Sequence, residues 1–342
     1  MRAMTEFPAM SRQRFEGEVV PAYEPAVLRG LVADWPLVAA GRQGLEPVLR
    51  YLAGFDAGVP VDALLARPDA LRAFGYGPAL DGFNFARDRR PLAALFEQFW
   101  RYAQFPEPPS LAVQSALIPE ALPGLERANA NPLLDAAIAP RLWLGNRVTT
   151  PAHFDGSHNI ACVVAGRRRF TLLPPQSAPD LYLGPPDHAP TAAPMTVAHL
   201  HAPDFERFPR LREALAAARV AELEPGDAIY IPPLWFHQVE SLDARLNGLV
   251  NYWWRPAPAP GRADDAQGAA LRLCMLAFRH LPDGEREGWR ALLDHYAFGA
   301  RPETLAHVPP ERRGLLGEFD AARDAACRAD VIARLQPGAE KP

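Results

Sequence analysis

From Ser110 to Trp253 the chain breaks again and again into short β-type runs that stop at glycine or proline, and no other feature restricts its fold so tightly. The runs are Ser110–Ser115, Arg141–Gly145, Asn159–Val164, Arg168–Leu173, Ala228–Ile231 and Gly248–Trp253. This spacing predicts an antiparallel barrel or sandwich. Ala165–Gly166 reads as a hairpin turn between two runs, and Pro174–Pro175 forbids further ladder pairing because proline has no N–H to give. Pro225–Gly226–Asp227 turns the chain into Ala228–Ile231. Between Gln176 and Val220 lies a Pro-rich insertion ending in a short helix over Arg210–Arg219, and a connection of that length is more often functional than idle.

The flanks have a different period. Gly44–Leu52 and Arg90–Tyr102 read as helices, the second carrying Leu92, Leu95, Phe96, Phe99 and Trp100 on a packing face. After Trp254 comes the linker RPAPAPGRADD, and beyond it Ala266–Leu281, Asp283–Phe298 and Asp320–Leu335 read as amphipathic helices. The expected organisation is therefore an N-terminal helical and strand segment over 1–109, a β core over 110–255 and a helical region over 256–342.

Composition narrows the partners. A net charge of −4 over 342 residues offers no concentrated basic face, so nucleic acid is not expected. No apolar run approaches the roughly 18 residues of a membrane span, and the start MRAMTEFPAMSRQRFEGE lacks a secretory core; no membrane partner and a cytoplasmic location are expected. Cys162, Cys274 and Cys327 form no CxxC pair and read as reduced packing residues. Lys341 is the only lysine among 36 basic residues, so an arginine here does not by itself signal a specialised choice.

The chemistry concentrates in two places. Thr150–Pro151–Ala152–His153–Phe154–Asp155 sets an imidazole and a carboxylate two residues apart, which on an extended strand puts both on one face. His237 closes Ile231–Pro232–Pro233–Leu234–Trp235–Phe236–His237, just past a predicted strand. Two histidines and one carboxylate make a facial triad, which leaves three adjacent positions on a metal open for a chelating cosubstrate and O2.

The segments TPAHFD, GRRRFTLLPP and EPGDAIYIPPLWFHQVES, followed by Asn251–Tyr252–Trp253, resemble the JmjC/cupin-8 (cupin-like domain) branch of Fe(II)- and 2-oxoglutarate-dependent oxygenases. That branch includes the asparaginyl hydroxylase acting on hypoxia-inducible factor. More loosely, AVLRGLVADWP resembles its N-terminal segment, so residues 20 to 255 are covered. The resemblance implies a mainly β fold: a double-stranded β-helix, or jelly-roll cupin barrel, with an α-helical N-terminal surround and a C-terminal helical region. It makes His153, Asp155 and His237 the iron ligands and both the metal and catalytic set. Thr150 and Arg168 would hold the distal carboxylate of 2-oxoglutarate, with arginine standing where the family usually has lysine. Asn159 and Asn251 match amides near the iron and cosubstrate, and Trp253 would wall the site. A tyrosine that some relatives carry near Leu111–Gln114 is absent, leaving Gln114 as the polar group there.

The reaction so implied is hydroxylation of a protein or peptide side chain, or of a small molecule, with 2-oxoglutarate and O2 giving succinate and CO2. Two other readings compete: a metal-dependent cupin enzyme that does not use 2-oxoglutarate, and a non-catalytic cupin-like binding module. Relatives with similar tails dimerise through them, so a homodimer is expected. His158 is assigned to the face away from the triad and a structural or surface role. His199 and His201 stay unassigned, and strand alternation sends Arg168 to the face opposite Arg167 and Arg169. Trp235 and Phe236 read as barrel packing that also keeps water from the metal.

Overall fold

A computed structural model describes residues 2–68, 72–190, 193–255, 266–299, 305–317 and 320–336. The linker residues 256–265 lie outside the described residues. The chain divides into two compact units, Met1–Trp254 and Arg255–Pro342.

Among the described residues, fourteen strands build the first unit: β1 (Arg2–Ala3), β2 (Thr5–Phe7), β3 (Ala26–Leu28), β4 (Val61–Ala66), β5 (Phe85–Arg90), β6 (Ser110–Leu117) and β7 (Pro140–Gly145), then β8 (Thr149–His153), β9 (His158–Ala165), β10 (Arg168–Leu173), β11 (Arg219–Leu223), β12 (Ala228–Ile231), β13 (Phe236–Ser241) and β14 (Asn247–Trp254). One sheet runs β1-β11-β10-β13-β8 and the other β2-β3-β12-β9-β14-β7-β6-β4-β5. Chain order and sheet order together define the barrel. From β7 to β10, and again from β11 to β14, each successive strand enters the opposite sheet. In that stretch only β10 and β11 are consecutive strands that pair, and the insertion joins them. This is the jelly-roll, double-stranded β-helix architecture of a cupin-like fold.

One turn differs from the hairpin that its composition predicts. Ala165–Gly166 does not close a hairpin, because β9 pairs with β12 and β14 while β10 pairs with β11 and β13. The turn carries the chain between sheets. Gly166 has φ +65°, and a Cβ there would lie 2.5 Å from the Leu246 carbonyl oxygen, so glycine is required both by conformation and by space.

Alternation along the strands sorts the larger cores. Ala161, Val163, Phe170, Leu172, Ile229 and Leu249 meet between the sheets. On the outer face of the larger sheet, Ile160, Cys162, Val164 and Val250 pack under helices α1 (Pro36–Gln43), α2 (Leu45–Ala53) and α3 (Leu92–Tyr102). Helix α1 lies so close to β9 that a Cβ on Gly41 would sit 1.8 Å from the Val164 carbonyl oxygen. The insertion covers the outer face of the smaller sheet, where Leu181, Leu200 and Leu211, the last on α4 (Leu211–Ala217), pack on Leu173 and Phe236. Each of these fully buried side chains contributes about 1.5–3 kcal/mol.

The second unit contains α5 (Ala266–Phe278), α6 (Asp283–Leu293) and α7 (Ala321–Leu335). Phe278 stacks on Trp289 with ring centroids 5.2 Å apart. Leu276, Phe298, Leu315 and Ile332 are exposed. Among the described residues no helix is long and apolar enough to cross a membrane.

Candidate metal centre

The geometry of the smaller sheet assembles the site. In the β13–β8 pair, His237 faces His153 and Val239 faces Thr150, so β8 spends one more residue than β13 between the two pairs. That bulge restores Thr150 and His153, three positions apart, to the same inward face. In the neighbouring pair Leu172 faces His237, Phe170 faces Val239 and Arg168 faces Ser241. Cross-strand partners project to one side, and Phe170 and Leu172 belong to the core between the sheets. Arg168, Ser241, His237, His153 and Thr150 therefore share the barrel interior. His237 lies past β12, as the sequence predicts, and within β13; β8 ends at His153, so Asp155 belongs to the following loop.

His153 Nδ1 lies 2.9 Å from the Pro151 carbonyl oxygen and His237 Nδ1 lies 3.1 Å from that of Trp235. A carbonyl can only accept, so both Nδ1 atoms carry the proton and both Nε2 atoms offer a lone pair. The rings are 4.4 Å apart by centroid, and His237 Nε2 is 3.6 Å from an Asp155 carboxylate oxygen. One candidate donor atom from each of the three residues lies within 4.8 Å of the other two. Burial holds the His237 imidazole well below its usual range, with the neighbouring His153 acting in the same direction, so it is neutral at pH 7. Among the described residues this is the only group of three or more His, Cys, Asp or Glu side chains placed to hold a metal ion.

Asp155 is fixed from two directions. Leu234 N–H donates to its carbonyl oxygen at 2.8 Å, and Trp253 Nε1–H donates to its carboxylate at 3.1 Å. Leu234 adopts φ +66°, a left-handed conformation that costs a non-glycine residue on the order of 1 kcal/mol. The Trp253 ring meets Trp143 edge-on at 5.9 Å. Trp143 Nε1–H donates to Asn251 Oδ1 at 2.7 Å, and the Asn251 amide donates to Asn159 Oδ1 at 3.2 Å. An indole N–H can only donate, which sets the orientation of both amides. Asn159, Asn251 and Trp253 thus form one network behind Asp155. Gln114 is half-buried in a second bulge, where it and Ser115 together oppose Trp143.

At the far end of the interior stands Arg168, 6% exposed. Its Nη2 donates to the Asn247 carbonyl at 3.3 Å, its buried Nε has no partner, and it makes no ion pair with a described carboxylate. Burial lowers its pKa to about 10, so it stays charged at neutral pH. Its neighbours Arg167 and Arg169 turn outward to Asp243 and Glu222. The cross-strand partner Ser241 is also buried with an unpartnered hydroxyl, as is Asn247 Oδ1. Ser241 is absent from the residues that the sequence motifs single out, although its place four residues after His237, on the same strand face, is a signal that points to it.

The remaining candidates fall elsewhere. His158 Nδ1 lies 2.8 Å from the Tyr230 hydroxyl and its ring stacks on Trp254 at 5.2 Å, in the outer core. His199 and His201 pair with each other at 5.7 Å. A cleft of about 430 Å³ beside Trp235 is lined by Tyr23, Pro174, Gln176 and Arg219, and by none of the triad.

Several known proteins are similar to this chain in sequence. Lysine-specific demethylase JMJ31 of Arabidopsis thaliana is 35% identical over 114 residues, 33% of this chain, which spans 20% of that protein's length. The tRNA wybutosine-synthesizing protein 5 of Gallus gallus is 25% identical over 272 residues, covering 73% of this chain and 76% of its own. The bifunctional peptidase and (3S)-lysyl hydroxylase JMJD7 of Homo sapiens is 25% identical over 296 residues, covering 73% and 89%. The family described as the cupin-like domain matches residues 12–259, a stretch that holds both sheets' strand-alternating core and the complete His-Asp-His set, and the chain belongs to that JmjC-related family.

Proposed function

We propose that the chain is an Fe(II)- and 2-oxoglutarate-dependent oxygenase that hydroxylates a protein or peptide side chain or a small molecule. The observation that carries this reading is Arg168, a buried guanidinium inside the barrel with no anion to meet it among the described residues. A buried charge without a partner costs several kcal/mol, so the site is built for an anionic group, and a dicarboxylate fits the unpartnered Nε and the Ser241 hydroxyl facing it.

His153, Asp155 and His237 would hold iron from one face, and Arg168, Ser241 and Thr150 would hold the distal carboxylate of 2-oxoglutarate. When bound, iron and cosubstrate supply an oxidant from O2, with succinate and CO2 as co-products. The chain's own work is orientation: Trp253 aligns the Asp155 carboxylate, Trp143 and Trp253 wall the interior, and Trp235 and Phe236 pack beside the last ligand. The named relatives act on different substrates by their names, a demethylase, a tRNA-modifying protein and a lysyl hydroxylase, so family membership leaves the substrate open.

Anaerobic loading with Fe(II), followed by 2-oxoglutarate and O2, should give 2-oxoglutarate-dependent succinate. Metal-loaded protein that binds no 2-oxoglutarate would sink the reading in favour of a cupin using its metal otherwise. Binding without turnover across substrates would favour a non-catalytic module. The proposed site of action is the cytoplasm, which fractionation with a tagged chain would test. The exposed Leu276, Phe298 and Ile332 support a homodimer through the C-terminal helices. Light scattering should then give twice the chain mass, and a monomer at micromolar concentration would end that proposal.

A further inference from the structure

A second interior arginine stands at the opposite end of the barrel from Arg168. In β7, Leu142 and Leu144 pack outward into the helical core, so Arg141 and Trp143 face inward. Arg141 is the cross-strand partner of Asn251, the amide behind Asp155. Its guanidinium carbon lies 5.6 Å from the centre of the Trp253 ring, and that ring's N–H holds the Asp155 carboxylate at 3.1 Å. Arg141 is thus one indole away from the metal-binding set.

Its hydrogen bonds show what it lacks. Nη1 donates to the Ser115 carbonyl and hydroxyl oxygens, both at 3.3 Å, and no described carboxylate pairs with it. Ser115 adopts φ +52° in the bulge opposite Trp143, a strained conformation that brings both oxygens onto one edge of the guanidinium. The remaining N–H groups have no partner among the described residues and Arg141 is only half-buried, so that edge is reachable from solvent. Charge points the same way. Resting on the reading of the site proposed above, iron(II), Arg168 and Arg141 bring four positive charges. Asp155 and the 2-oxoglutarate dianion bring three negative ones. One cation remains, and it is Arg141.

We propose that Arg141, braced by Ser115 and stacked on Trp253, is the specificity residue that binds a carboxylate of the substrate and so presents the neighbouring C–H to the metal centre. The carboxylate belongs either to a free organic acid or to an acidic side chain of a peptide; the chemistry at the guanidinium is the same.

The test is calorimetry on the full chain, loaded anaerobically with Fe(II) and saturated with 2-oxoglutarate. One arm titrates N-acetylated amino acids with free carboxylates, the second titrates end-blocked peptides carrying Asp or Glu, and carboxamide counterparts serve as controls. A carboxylate probe in one arm should bind, its amide should not, and Arg141→Gln should weaken it roughly 10–100-fold. Arg141→Lys should recover part of the loss and keeps the comparison readable if the glutamine variant does not fold. Affinity for 2-oxoglutarate should be the same in all three proteins. The proposal is overturned if amides bind as well as acids, if neither arm binds, if Arg141→Gln binds as wild type does, or if that variant loses 2-oxoglutarate. A wild-type chain that binds no 2-oxoglutarate refutes the oxygenase reading instead, and the carboxylate arms are then read on metal-loaded protein alone.

Discussion

Asp155→Ala should leave the chain folded but unable to retain iron, and should abolish 2-oxoglutarate-dependent turnover. Asp155 is the single anionic donor in the set, since the two residues that remain are imidazoles. Losing a direct ligand should cost more than the roughly 10–100-fold in metal affinity typical of an outer hydrogen-bond partner. The fold has reason to survive, because the bond that pins this loop is donated by Leu234 to the Asp155 backbone oxygen, which alanine retains. Metal content after dialysis, set beside a thermal melt, measures both halves. A variant that keeps equimolar iron and full turnover would show that the triad is misassigned.

Arg168 gives the second large effect, and it carries two opposite signs. Arg168→Ala should raise the 2-oxoglutarate concentration needed for half-saturation about 150- to 5000-fold, the 3–5 kcal/mol expected when one partner of a buried ion pair is removed. Among the described residues no carboxylate pairs with this buried guanidinium, so without cosubstrate Arg168→Met, which keeps much of the volume, should hold or raise the melting temperature. A structural arginine would do the reverse. Melting curves with and without 2-oxoglutarate separate the cases: the wild type should gain stability on adding cosubstrate and the methionine variant should not. Arg168→Lys restores the residue usual in the family and should keep most of the binding. A methionine variant that melts earlier yet binds 2-oxoglutarate normally would remove Arg168 from the site.

Much of the fold and of the metal set is legible in the amino-acid sequence. Strands such as Arg168–Leu173 and Ala228–Ile231 are bounded by glycine or proline, whose backbone rules are local, and their limits agree with the structure. The metal set is legible because three chemically distinctive residues carry it. Pairing is not: Ala165–Gly166 has the composition of a hairpin turn, yet the strand on each side finds its partners through contacts made far along the chain. Strand β5, FARDRR, is mostly exposed at a sheet edge, where charged residues are at home and the apolar alternation that marks a strand is missing. The bulge in β8 is equally hidden. Thr150 and His153 are three residues apart and read as opposite faces until the extra residue is set against β13. Arg141 carries no sequence signal of its own, because its meaning lies in what surrounds it, a strained serine and an indole, with no described acid to pair it.

The position of Arg168 has a consequence for traffic. It lies four residues along β10 from the partner of His237, about 13 Å at strand rise, at the end where Gly166 packs against Leu246 and Asn247. Its Nε, the Ser241 hydroxyl and Asn247 Oδ1 are all closed off from solvent there. That end of the barrel is thus a floor rather than a doorway. On the reading proposed above, a dicarboxylate resting on it would lie beneath the metal-binding set, and a larger substrate arriving afterwards would cover it.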